Sequence, residues 1–187
     1  CRRRGAGGSG GVAVRVGFEY RKALRDADLT SADLAVKAAE TLLIEHPVLP
    51  AARRVVIDDL LRRQDWSVAL VAIDDALVQA PEFRLLYLQR LSVLEKLGLD
   101  DAIEAQLKDM VQRFPEDNVY HTLINWYIGR GQDKDAEAYL RARMELDAQA
   151  SEARLELVTF LAQRVSPQAA LDEIDRFLDS GDTDNQA

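Results

Sequence analysis

The chain repeats itself with a period of about 34 residues, and that period constrains its architecture more than any local feature. Pro47, Pro81 and Pro115 are equally spaced, and the same step falls next on Gln149 in the run Asp147-Ala148-Gln149-Ala150. A second series, Ala35, Ala69, Ala102, Ala136 and Ala170, runs beside it at the same spacing, with one step shorter by a single position. A fixed period of this length marks a stack of like supersecondary units, none of which buries its apolar face alone.

Within each unit, apolar residues at i, i+3 and i+4 predict two helices. In the second unit one helix carries Val55, Val56, Leu60 and Leu61, a turn follows at Gln64-Asp65-Trp66, and the other helix runs from Trp66 to Gln79. This second helix is apolar nearly all round, which predicts an interior layer covered on several sides. In the third unit Gly98 is placed to end a helix in the left-handed conformation. Ahead of these units, Phe18 to Leu24 reads as a short helix, and Thr30 or Ser31 as the N-cap of the next. Near the end, Ser166 is an N-cap with Pro167 at the first helical position. The last helix, Pro167 to Asp179, should pack through Ala170, Leu171, Ile174, Phe177 and Leu178. Its solvated face would be Asp172, Glu173, Asp175, Arg176 and Asp179, as an array's terminal cap requires. Gly181 should stop it, leaving residues 180–187 as a disordered acidic tail.

Two helices per unit, small residues midway and a closing proline resemble the tetratricopeptide repeat. Ala69, Ala76 and Pro81 fall at that family's mutual spacings, with Gln64-Asp65-Trp66 in place of its glycine-containing turn. Ile57, Leu91 and Asn125 depart from the family's small residue in the first helix, so the units are divergent. The resemblance covers residues 18–179 and implies an all-α, right-handed superhelical solenoid of about five antiparallel helix pairs. It also implies that the first helices line a concave groove that binds a peptide or protein segment. The residues this register turns inward are Arg54, Asp58, Arg62, Leu88, Ser92, Thr122, Trp126, Glu156 and Phe160.

Residues 1–17 hold six of the ten glycines together with Arg2, Arg3 and Arg4, which predicts a flexible tether. The alternation Val12-Ala13-Val14-Arg15-Val16 is strand-like but isolated. A cysteine at position 1 ahead of such a tether resembles a bacterial lipoprotein, with lipid attached to Cys1 and the domain held at the envelope. A cytoplasmic adaptor is the alternative. No run is apolar enough to cross a bilayer as a helix, so membrane association is expected only through Cys1.

Chemistry is sparse. His46 and His121 have no Cys or His at ligand spacing, so no metal or other cofactor is expected. Asp58-Asp59, Asp74-Asp75 and Asp100-Asp101 are adjacent pairs, whose side chains diverge by about 100° on a helix and cannot form an acid–base dyad. Beyond Arg2, Arg3, Arg4 and Arg15 the remaining 20 Lys and Arg face 32 Asp and Glu, which argues against nucleic acid as the ligand. The expectation is a non-enzymatic scaffold for an unknown protein partner. The rival readings are a homo-oligomerising repeat module and the helical part of a larger protein.

Overall fold

A computed structural model describes the chain over residues 6–146 and 151–183, and among these every regular element is helical. The ten α-helices follow one another as five pairs: α1 (Ala6–Arg25) and α2 (Leu29–Glu45), α3 (Pro50–Arg63) and α4 (Trp66–Gln79), α5 (Arg84–Leu97) and α6 (Asp100–Arg113), α7 (Asp117–Gly129) and α8 (Asp133–Leu146), α9 (Ser151–Phe160) and α10 (Pro167–Thr183). The fold is the all-α repeat array that the period requires. It divides within α6 into two compact units, residues 1–103 and 104–187.

Four of the five hairpins turn by one mechanism. Ala27, Gln64, Gly98 and Gly131 take left-handed φ of 56°, 64°, 67° and 69°. The next residue's N–H reaches back over the last turn each time: Asp28 to the Ala23 carbonyl, Asp65 to Leu60, Leu99 to Leu94 and Gln132 to Tyr127, at 2.9–3.1 Å. This is the Schellman closure, which satisfies carbonyls that a helix end leaves open. Asp28 also caps α2, accepting from the Ser31 amide at 3.0 Å and the Ser31 hydroxyl at 2.5 Å. The cap is therefore Asp28 rather than Thr30 or Ser31, and Ser31 serves as its donor. Ser166 caps α10 as expected, accepting from the Ala169 amide at 3.0 Å. It follows a π-helical turn, Leu161–Val165, in which the Ser166 N–H bonds the Leu161 carbonyl at 2.9 Å.

In the first unit α1 packs on α2 and α3, α3 on α2 and α4, and α4 on α5. One core joins Ala13, Val16, Tyr20 and Ala23 of α1 to Ala32, Ala35, Val36 and Ala39 of α2 and to Ala52 and Val55 of α3. A second joins Ile57 to Ala69, Ile73 and Ala76 of α4 and to Leu86 and Val93 of α5. In the second unit α7 packs on α8, α8 on α9, and α10 on α9 and the π-turn. Val119, Leu123, Tyr127, Leu140, Leu157 and Leu161 are almost completely buried there. Of the periodic alanines, Ala35, Ala69, Ala136 and Ala170 are buried.

Four expectations are corrected. Residues 6–17 belong to α1 rather than to a tether or a strand, because Ala13, Val16, Tyr20 and Ala23 recur at helical spacing and bury against α2 and α3. Burial offsets the roughly 1 kcal/mol that each helical glycine costs. At Gly17 an added Cβ would meet Val55 at an ordinary contact distance of 3.7 Å, so packing does not demand glycine there. Cys1 and the three arginines after it lie outside the described residues. Second, α4 is not covered on several sides, since Val68, Val71 and Val78 are exposed. Third, α10 buries Ala170 and Glu173 and leaves Leu171, Ile174 and Leu178 exposed. The reason is electrostatic: Glu173 receives Arg141 of α8 at 3.0 Å and Arg176 at 2.8 Å, so the carboxylate occupies the inward slot. Fourth, α10 passes through Gly181 to Thr183; the rest of the expected tail lies outside the described residues.

The shared turn sets a test. A Cβ at Gly98 meets nothing within 4 Å, so Gly98→Ala is costly only through its left-handed backbone. It should lose about 0.5–1 kcal/mol, and Gln64→Gly should gain a similar amount. Urea unfolding of both variants reads the two signs.

Candidate functional site

Eight of the nine expected groove residues, all but Arg62, fall by repeat position into two columns, and the structure treats the two units differently. Arg54, Leu88, Thr122 and Glu156 form one column; Asp58, Ser92, Trp126 and Phe160 form the other. They lie on α3, α5, α7 and α9 respectively. In the first unit both columns face outward: Arg54, Leu88 and Ser92 are exposed and Asp58 is half-buried. In the second unit the four residues differ in burial: Phe160 is buried, Trp126 and Glu156 are half-buried and Thr122 is exposed. Phe160 is 6% exposed and is a core residue, because the π-turn that follows it packs against α8 and α10. Trp126 is half-buried, its Nε1 enclosed without a hydrogen-bond partner and its ring covered by the Arg130 guanidinium at 4.0 Å. Glu156 ties three helices, meeting His121 of α7 at 3.0 Å and the buried Arg143 of α8. Thr122 is exposed, but its hydroxyl returns to the Asn118 carbonyl at 2.8 Å.

On α3 the sequence places Arg54, Asp58 and Arg62 on one stripe, and their partners separate them. Arg54 Nε lies 3.5 Å from Asp58. Gln89 of α5 donates to Asp58 at 3.3 Å, which links the outward faces of the two helices. Burial raises the Asp58 pKa above the usual carboxylate value, against the lowering effect of Arg54, Gln89 and Arg21. Arg62 turns aside and donates to Asp59 Oδ1 from Nε at 3.0 Å and Nη2 at 2.7 Å.

Asp59 is the polar anchor beneath this face, with a side chain only 4% exposed. Tyr20 of α1 donates to it at 3.3 Å, and Arg63 Nε lies 2.7 Å from its second oxygen. Arg63 continues to Asp33 of α2 at 2.7 Å, so one carboxylate connects α1, α2 and α3. A buried carboxylate needs such a full set of donors to stay in place.

Sequence reasoning missed the share of α1. Counted from the left-handed turn residue, Gly17 and Arg21 of α1 correspond to Arg54 and Asp58 of α3, and Phe18 stands exposed beside them. The signal was shifted: the step from Ala27 to Gln64 is three positions longer than the step from Gln64 to Gly98. Sequence also missed a pocket of about 100 Å³ between α3, the end of α4 and α5. Ile57, Phe83, Leu85 and Leu86 help form its apolar wall, and Arg53, Arg54 and Gln89 stand among its polar lining. Arg53 is held by the Pro47 carbonyl at 2.7 Å, and one period further on Tyr87 bonds the Pro81 carbonyl at 2.8 Å. Among the described residues no three His, Cys, Asp or Glu cluster as a metal site, and no helix is long and apolar enough to cross a membrane.

Chains of this geometry are known. The chain matches a tetratricopeptide repeat protein from Parabacteroides merdae with a TM-score of 0.58 and 16% identity, over 92% of this chain and 66% of that one. It matches YrrB, described as a tetratricopeptide repeat protein with an unusual peptide-binding site, with a TM-score of 0.54 and 17% identity over 89% and 85% of the two chains. It matches MamA from Desulfovibrio magneticus RS-1 with a TM-score of 0.54 and 14% identity over 94% and 96%. No family model and no curated protein matches the sequence. The chain has the tetratricopeptide-repeat fold.

The polar anchor predicts an alkaline limit to stability. Burial, and then the charge of Asp59, raise the Tyr20 pKa from 10.0 to about 12; burial and the Glu104 hydrogen bond raise Tyr127 likewise to about 12. The folded state holds these protons more tightly than the unfolded chain does. The resulting stability is complete below about pH 10 and is lost as pH rises towards 12. Tyrosinate absorbance should show the two groups ionising only near pH 12 in the folded protein, and Tyr20→Phe should flatten the stability curve over that window.

Proposed function

We propose that this chain is a protein-interaction scaffold that holds a segment of a partner protein against the outward face of α1, α3 and α5. The repeat fold supports the scaffold role, because stacked helix pairs present one long surface built from successive first helices. The observation that carries the site is the open face of the first unit: Phe18, Arg54, Leu88 and Ser92 project from three first helices and stand exposed. Such a face suits an extended or helical segment, with side chains rather than a deep cavity setting the choice of partner. YrrB, which shares the fold, is described as having a peptide-binding site.

A photo-crosslinking residue at Ser92 tests the site, with one at Val71 of α4 as the control on the opposite helix layer. Partner capture from Ser92 and not from Val71 is expected. Equal capture from Val71 would overturn the assignment. With the captured partner in hand, Arg54→Ala together with Leu88→Ala should weaken binding by about tenfold while helicity is unchanged.

A second reading, self-association, rests on α10. Leu171, Ile174 and Leu178 lie at i, i+3 and i+7 and are 54%, 39% and 65% exposed, an apolar stripe on the outer side of the last helix. If this stripe pairs two copies, light scattering over a dilution series will show a dimer that dissociates on dilution. Ile174→Asp should then shift its midpoint upward by about tenfold or more in concentration. A monomer throughout eliminates this reading.

A further inference from the structure

Charge in the first unit is sorted by helix layer. The first helices carry a basic excess: α1 has Arg15, Arg21, Lys22 and Arg25 against Glu19; α3 has Arg53, Arg54, Arg62 and Arg63 against Asp58 and Asp59; α5 has Arg84, Arg90 and Lys96 against Glu95. The second helices carry the opposite sign: α2 has Lys37 against Asp33, Glu40 and Glu45, and α4 has Asp74 and Asp75 with no base. Within a chain of net charge −8, the first helices of this unit thus carry a basic excess, part of it answered by Asp33 of α2 and Asp74 of α4. Neither side of this arrangement is visible in the total.

The pocket concentrates the same contrast. Its lining includes Arg53 and Arg54 and no carboxylate, around an apolar wall that includes Ile57, Phe83 and Leu86. Arg53 is fixed by a carbonyl, which leaves its positive charge uncancelled. The described counter-ion of Arg54 is Asp58 at 3.5 Å, which already accepts from Gln89 and also lies in the field of Arg21. Phe83, in the pocket lining, is 51% exposed, and Leu88, further along α5 and outside that lining, is 48% exposed. Apolar contact, the carbonyl-held Arg53 guanidinium and the Arg54–Asp58 pair thus meet within one surface. Arginine beside aromatic and aliphatic side chains is the composition that dominates binding hot spots.

We propose that this surface docks an acidic protein segment bearing a bulky aliphatic or aromatic anchor: the anchor enters the pocket against Phe83 and Leu86, and flanking Asp or Glu side chains pair with Arg54, Arg53 and Arg21. The proposal rests on the groove reading above and adds the chemistry of the occupant. Opposite charge steers the encounter and excludes basic segments, while the anchor supplies the desolvated contact. The acidic second helices α2 and α4 repel the same segment, so it is directed to one layer only.

Fluorescence anisotropy with the full chain tests it, using three labelled synthetic peptides of ~12 residues. One alternates Asp and Glu with Leu and Phe, the second has Lys and Arg in place of the acids, and the third keeps the acids with Ala in place of the anchors. The first should bind at least about tenfold more tightly than either other, and should weaken steeply as salt rises. Arg54→Ala with Arg21→Ala should remove about tenfold of that affinity, and Phe83→Ser a comparable share, with circular dichroism unchanged. Val71→Ser on α4 should have no effect. If the basic peptide binds as well and Arg54→Ala with Leu88→Ala weakens it, the groove stands and the acidic partner is overturned. Binding of the acidic peptide that ignores the groove substitutions but follows Val71→Ser overturns the groove itself. No saturable binding by the acidic peptide, or tighter binding of a single-stranded RNA of the same length, also overturns the proposal.

Discussion

The close approach of paired helices at alanine is the constraint on which the rest depends. Ala69 and Ala136 are wholly buried, and Ala35 and Ala170 nearly so, in helices α4, α8, α2 and α10. A side chain without rotamers lets the neighbouring backbone come close and gives up no conformational entropy on burial. The alanine recurs once in each period, so the second helices α2, α4, α8 and α10 each bring a small buried residue to their packed face. A larger residue at the alanine would overpack by about 1–3 kcal/mol, and the displacement would be felt on the far side of the first helix, where Arg54 and Leu88 stand.

Buried and half-buried carboxylates supply what a uniform apolar repeat lacks, a reason for each helix to sit in one register. Asp59 gathers Tyr20, Arg62 and Arg63; Glu156 gathers His121 and Arg143; Glu173 gathers Arg141 and Arg176. Each links helices of successive pairs or layers. Ion pairs of this kind contribute little net stability after desolvation, but breaking one leaves its partners unmatched. Sliding a helix by one residue would strand these charges. The polar ties differ from unit to unit while the alanines do not, which is how similar repeats acquire separate identities.

The same ties explain what could and could not be read from sequence. Period, helix pairing, the Gly98 turn and the Ser166 cap are local or periodic signals, and each is legible in one stretch of chain. The register of α10 is not. Its apolar residues form a broad arc, and only the distant Arg141 of α8 decides that Glu173 rather than Leu171 turns inward. Phe160 reads as a column residue because the period places it there, but the π-turn after it changes the geometry locally. Residues 6–17 read as a tether because glycine frequency outweighed four buried residues at helical spacing. In α4 the exposed valines mimic a covered helix, since composition does not say which side of a helix has a neighbour. Of the nine expected groove residues, Arg54, Leu88 and Ser92 stand exposed on α3 and α5, whereas Arg62 is drawn aside by Asp59, a partner that the period does not reveal.

Charge was legible in principle, and averaging hid it. A single total treats the chain as one object, whereas a repeat of two helices sorts residues into two layers with alternating membership. Summed by layer, the first unit is basic on one side and acidic on the other. Such a division matters physically because fields add along a row: Arg21, Arg54 and their neighbours recur on adjacent helices, while salt screens beyond a Debye length of about 8–10 Å. The layered sign pattern therefore gives the surface a polarity that no single residue confers, and it does so without adding any net positive charge to the protein.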